Sequence, residues 1–225
     1  MSVFKQGEIM RVLQNREEGF LEHFKKMQQD ILLFNTLAGN DVDNKELIPL
    51  YEGLLLEECN ELYDAKDVYD IADHQIDVAV IGDFLARLYG FTDGILSGQG
   101  ITGAGNIHDI YNDNDHLVFL IKQGCKSPLQ ILDALQISVM NFRDSYVPHE
   151  KLMNEIMESN LSKFIPSHAI SVEEAESICK NIEEETIYKG VDFKMINGYY
   201  VFIDSKGKVM KRHNWFKDVD LTKHY

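Results

Sequence analysis

The chain has 225 residues and a formal net charge of −15, from Lys+Arg 22 against Asp+Glu 37. That length suits one large core or a core with a small appendage, and a hydrophobic fraction of 44% excludes wholesale disorder. So acidic a chain is no general duplex-DNA coat, because phosphate neutralisation needs clustered Lys and Arg, and no nucleic-acid partner is expected.

The opening residues, MSVFKQGEIMRVLQNREE, are charged throughout and lack the apolar stretch of a signal peptide. From about Phe4 to Tyr89 the pattern is helical, interrupted by Pro49. FLEHFKKMQQDILLFN (20–35) repeats apolar positions every three or four residues, AGNDVDN (38–44) is loop chemistry, and 48–66 and 68–90 read as two helices joined around Lys66 and Asp67. The Gly-, Asn- and Asp-rich stretch 92–115 reads as loop. Helical pattern resumes at 116–124, 128–143 and 148–164, and the Glu-rich 171–186 reads as an exposed, solvated helix. Two short β-like runs within 191–203 flank Asn197-Gly198, a strong hairpin signal, and KVM at 208–210 is a candidate third strand. The fold expected is mainly α with a small C-terminal β hairpin. The longest apolar runs, such as VAVI at 78–81, are too short for a membrane span. Cys59, Cys125 and Cys179 form no CxxC pair, so a soluble protein of a reducing compartment, the cytoplasm, is expected.

Two acidic clusters carry the chemical signal. Glu57, Glu58 and Glu61 project from one side of a helix, and on the next helix Asp70, Asp73 and Asp77 share a face that continues into Val80, Ile81 and Phe84. Carboxylates at inward positions repel one another and lose hydration. Divalent cations resolve both problems, and oxygen ligands from two facing helices suit Mg²⁺, with Mn²⁺ as a substitute. The plainer reading is a solvated acidic face, which two clusters embedded in apolar positions fit less well than one would.

Between Phe193 and Lys217 stand six basic residues (Lys194, Lys206, Lys208, Lys211, Arg212, Lys217) against one acidic, Asp204. That local reversal fits either a polyphosphate anchor or a solvated tail. Asn160 and Lys163 lie on one helical side and fit a helix cap or a nucleotide contact. GQGITG at 98–103 has no strand before it and is set aside as a dinucleotide motif. Asp113-Asn114-Asp115 lacks the Gly and Glu of a calcium loop. His74 reads as an outer partner of the acidic site or an interior histidine, and Trp215 as a packing anchor or a stacking platform.

LLLEECNELYDAKDVYDIADHQIDVAVIG resembles the all-α nucleoside triphosphate pyrophosphohydrolase superfamily, which includes MazG, dimeric dUTPases, dCTP pyrophosphatases and phosphoribosyl-ATP pyrophosphohydrolase. Its EExxE pattern matches Glu57, Glu58 and Glu61, and its later acidic pair matches Asp73 and Asp77, with His74 where the commonest version has Glu. KKMQQDILLFNTLAG, ESNLSKF and SKGKVMKRHNWFKDVDL resemble the opening helix, the SNMSK motif and the closing segment of a bacterial and phage branch. Residues 92–147 match nothing in the family and read as an insertion in a core of 1–165, with 166–225 completing the same domain. The resemblance implies Mg²⁺-dependent hydrolysis of a nucleoside triphosphate, dUTP or dCTP above all, to monophosphate and pyrophosphate. It implies Glu58, Glu61, Asp73 and Asp77 as metal ligands, Glu57 and Asp73 as further ligands or base, and Asn160, Lys163, Lys208 and Lys211 as substrate contacts. A homodimer or higher homo-oligomer is also implied. The alternatives are phosphoribosyl-ATP pyrophosphohydrolase itself and a non-catalytic helical module that binds nucleotide or protein.

Overall fold

The computed structural model describes residues 6–97, 107–123, 127–144 and 149–211, together with Lys217 and Val219. GQGITG at 98–103, Cys125, Arg212 and Trp215 lie outside the described residues. Helix α1 (Gln6–Ala38) buries Phe20, Phe24, Met27 and Ile31. Their spacing of four, three and four makes one apolar stripe, each side chain adding about 1.5–3 kcal/mol of burial. The helix stops at Gly39, whose φ of 79° is left-handed. The Asn40 amide then reaches back to the Asn35 carbonyl at 2.8 Å, the closure that a left-handed glycine allows.

Helix α2 (Ile48–Glu61) carries Pro49 in its first turn rather than being broken by it, since proline there surrenders an amide that has no helical partner anyway. A short turn leads to α3 (Val68–Leu88), capped by Asp67, whose side chain accepts from the Tyr69 and Asp70 amides. Asp70 turns back to accept from the Lys66 amide at 3.0 Å, so its carboxylate holds the turn. Helix α3 is central, packing on α1, α2, α5 and α6. This placement explains its apolar run, in which Ala72, Ile76, Val80, Phe84 and Leu88 are buried.

Asp83 is fully buried near the far end of α3. It accepts from Gln28 Nε2 at 2.6 Å, the Ile95 amide at 2.9 Å and Arg87 Nε at 3.0 Å. A Cβ at Gly94 would stand 1.9 Å from its carboxylate, so only glycine lets the turn after α3 come this close.

The expectation of loop throughout 92–115 fails at its end, because α4 (Ile107–Lys122) starts well before 116. Asn114 is fully buried and extends the stripe of Leu117 and Ile121, so a polar residue at an inward position hid the period. Helix α4 pairs with α5 (Pro128–Asp144), and Leu117, Ile131 and Leu135 join the same core as α1 and α3. Helix α6 (His149–Leu161) packs along α1. Among the described residues no helix is long and apolar enough to cross a membrane.

After strand β1 (Ile165–Pro166), helix α7 (Val172–Glu185) opens with a Ser171–Glu174 capping box and buries Ala175, Cys179 and Ile182. Strands β2 (Asp192–Ile196) and β3 (Tyr199–Ile203) form the expected hairpin, with Asn197 and Gly198 both at positive φ. The sheet order is β1-β3-β2, all antiparallel. KVM is therefore not the third strand. One edge of β3 is filled by β2 along its length and the other by β1 at Tyr199 and Tyr200, which leaves Val209 a single bridge to Ile203. Side chains alternate along β3: Tyr200 and Phe202 meet α7, while Val201 turns to Leu37 and Phe164 and joins the sheet to the helices.

Candidate metal centre

A cavity of about 670 Å³ lies where α2, α3 and α6 meet the end of α7 and the segment after β3. One wall carries Glu57, Glu58 and Glu61 from α2 with Asp73 and Asp77 from α3. The helical spacing that made the carboxylates conspicuous also aims them into one space. Facing them are Asn160 from α6, Lys163 just beyond it, and Lys208 and Lys211 after β3. The cavity thus has an acidic wall and a basic one.

The carboxylates are strained electrostatically. Burial raises the Asp77 carboxyl far above its ordinary range, and Glu58 and Asp73 push it further, while Lys163 offsets part of this. Burial also raises Asp73, and burial together with Glu58 raises Glu61. On the other side, burial lowers the Lys163 ammonium, as expected of a cation withdrawn from water. Its Nζ donates to Asn160 Oδ1 at 2.6 Å and sits 5.3 Å from the centre of the Phe34 ring. At the mouth, Lys208 Nζ bonds both Glu57 oxygens at 3.0 and 3.1 Å, tying the two walls together.

Lys208 is aimed by the loop before it. Asp204 is buried, and its Oδ1 accepts from the Lys206 and Lys208 amides, both at 2.9 Å. Three other basic residues of the segment, among those described, are spent elsewhere. Lys217 pairs with Glu158, Lys194 is exposed on β2, and Lys206 lines a neighbouring groove.

A divalent ion fits the donor set. Glu58, Glu61 and His74 offer ligand atoms that all lie within 4.8 Å of one another. Asp73 and Asp77, expected in the ligand set from the family pattern, line the same cavity outside that group. His74 Nδ1 stands 3.4 Å from Glu58 Oε2 and 3.7 Å from Glu61 Oε2. The histidine is thus in direct contact with the acidic wall.

Sequence reasoning missed several wall residues. Glu185, Thr186, Ile187 and Tyr188 close the far side, so Glu185 is not simply part of the solvated face expected for 171–186. A side pocket of about 130 Å³ shares Glu58, Asp77, Asn160, Lys163, Lys208 and Val209 with the main cavity. It is lined by Phe34, Leu50, Leu54, Val80 and Ile81, and Asn35, Asn40 and Tyr51 form its polar end. Asn40 Nδ2 donates to the Tyr51 hydroxyl at 2.9 Å and to Asn35 Oδ1 at 3.2 Å, and the Tyr51 hydroxyl donates to the same Asn35 oxygen. A polar Asn35 one turn past Ile31, on the buried stripe of α1, was the available signal. Compared with known proteins, the chain matches no family model, no curated protein and no solved structure.

Proposed function

We propose that this chain is a divalent-metal-dependent nucleoside triphosphate pyrophosphohydrolase. The observation that carries the reading is the facing of the five carboxylates of α2 and α3 by three lysines across one cavity with a small, largely apolar side pocket. Metal-chelated phosphates call for that charge division, and a nucleobase calls for a flat apolar slot with a few polar groups. The resemblance of the EExxE stretch to pyrophosphohydrolases supports the same class and points to dUTP or dCTP.

A bound divalent ion would lower the pKa of the attacking water and offset charge on the phosphate oxygens. The protein's own groups supply the rest. Asp73, raised above the ordinary carboxylate range by burial, accepts the proton from the water that attacks the α-phosphorus. A new P–O bond forms, the bond to the bridging oxygen breaks, and pyrophosphate leaves with the electron pair. Lys163 and Lys211 hold the departing phosphates, joined by Lys208 once it exchanges Glu57 for phosphate. Asn160, whose Oδ1 positions the Lys163 ammonium, orients the nucleoside beside the side pocket, and Glu57 closes the mouth.

The direct test measures pyrophosphate release from a panel of dNTPs, NTPs and phosphoribosyl-ATP, with Mg²⁺, with Mn²⁺ and with chelator. Metal-dependent release from a pyrimidine deoxynucleotide is expected. Turnover of phosphoribosyl-ATP alone would move the chain to histidine synthesis, and tight nucleotide binding without release would make it a binding module.

A further inference from the structure

The acidic wall has a nitrogen donor beside its oxygens, since a His74 ring nitrogen lies within 4.8 Å of carboxylate oxygens of Glu58 and Glu61. We infer that Glu58, Glu61 and His74 form a transition-metal site in which the His74 imidazole bonds the ion directly, and that this site takes Mn²⁺ in preference to Mg²⁺. The inference rests on the proposed function for the ion's presence but concerns which ion and which ligand.

The geometry argues for it. Atoms bound to one tetrahedral ion at about 2.0–2.1 Å stand about 3.4 Å apart, and neighbouring ligands on an octahedral ion about 3.0 Å. His74 Nδ1 stands 3.4 Å from one glutamate oxygen and 3.7 Å from the other, so an ion could touch all three with small side-chain movements. Those movements are available, because the Glu61 side chain is 52% exposed. His74 sits on α3 and the glutamates on α2, so the ion would bridge two helices already packed together. Two carboxylates and a neutral imidazole balance a divalent charge. The ligand mix then separates the two ions: Mn²⁺ is drawn by carboxylates as Mg²⁺ is but also accepts a nitrogen ligand, whereas Mg²⁺ demands near-ideal oxygen geometry and keeps its waters. The competing arrangement is a protonated His74 bridging the two glutamates with no metal bond.

Pulsed EPR of the full chain loaded with Mn²⁺ separates these arrangements. The expected spectrum shows the ¹⁴N coupling of a directly bound imidazole, and His74→Gln removes it. In competition titrations, His74→Glu should lower the Mn²⁺-over-Mg²⁺ preference at least about tenfold by restoring an all-oxygen set. Mn²⁺ binding without nitrogen coupling in the unaltered protein would overturn the inference while leaving the hydrolase reading intact. An unchanged preference in His74→Glu would do the same. Failure of Mn²⁺ to bind at all would overturn this site, and the pyrophosphate panel separately decides the enzyme. His74 is half-buried beside Glu58, and the spectrum of the unaltered protein decides the question even if a variant folds poorly.

Discussion

The two walls of the cavity are built on different plans. The acidic wall comes from two consecutive helices, with Glu57, Glu58, Glu61, Asp73 and Asp77 within 21 positions, each placed by helical period and by the packing of α2 on α3. The basic wall collects Lys163 from the end of α6 and Lys208 and Lys211 from the chain after β3, each placed by loops and by the sheet. A wall made of helix faces holds its carboxylates in place whether or not a ligand is present, and burial raises Asp77, Asp73 and Glu61 there. A wall made of loop ends is placed less locally, and its Lys208 reaches across to hold Glu57.

Three substitutions each disturb one wall and spare the other, and a fourth touches neither. Glu61→Gln should have the largest effect, lowering pyrophosphate release at least about a hundredfold while far-UV circular dichroism stays unchanged, because Glu61 is exposed. Retained activity with ordinary metal dependence would remove the acidic wall from the chemistry.

Asp77→Asn tests the standing cost of that wall. Burial raises the Asp77 carboxyl in the folded state, so the folded protein keeps a proton that the unfolded chain releases. Stability without metal is therefore fullest below the ordinary carboxylate pKa and falls as pH rises toward neutrality. Asp73 adds in the same sense, and so does His74 above its ordinary value of 6.5, since its hydrogen bond to Glu58 raises it. Thermal melts in chelator should show Tm decreasing from pH 5 to pH 8, and Asn at 77 should flatten the slope and raise Tm at pH 8 by about 3 °C or more. Added divalent ion should raise the Tm of the parent more than that of the variant. A flat profile in the parent would mean that these carboxylates are not strained.

On the basic wall, Asp204→Ala removes no cavity charge but releases the loop that aims Lys208. About 1–2 kcal/mol of stability should go with the two bonds, and KM should rise several-fold with kcat nearly kept. Unchanged kinetics would mean that Lys208 needs no such aiming. The smallest effect belongs to Asp67→Ala, which costs α3 its N-cap. About 1 kcal/mol should be lost in urea unfolding, without a change in KM, because α3 is held along its length by four neighbours.

The same contrast decides which features are legible in the sequence. Helices α2 and α3, the Asn197-Gly198 hairpin and the acidic spacing are local patterns, legible within a few residues. The start of helix α4 escapes the sequence pattern because Asn114 occupies a buried position, where its side chain joins Ser138. KVM read as strand because its own residues suit one, yet whether it pairs depends on β1, which arrives from a distant part of the chain. Asn35, Asn40 and Tyr51 meet only when the end of α1 folds back over α2, so no single window shows the side pocket. Glu185 and Tyr188 reach the cavity only through the packing of α7 on the sheet.

The Lys208–Glu57 contact joins residues 151 positions apart, which bears on the order of folding. The α2–α3 hairpin closes a short loop and can form early, whereas the lysine wall must wait for nearly the whole chain to be ordered. A half-folded or nascent chain would thus display the carboxylates without their lysines, competent to take up cations before it can hold a polyphosphate. Hydrogen exchange during refolding should then protect α3 before β3, and substitutions at Lys208 should leave the folding rate unchanged while speeding unfolding.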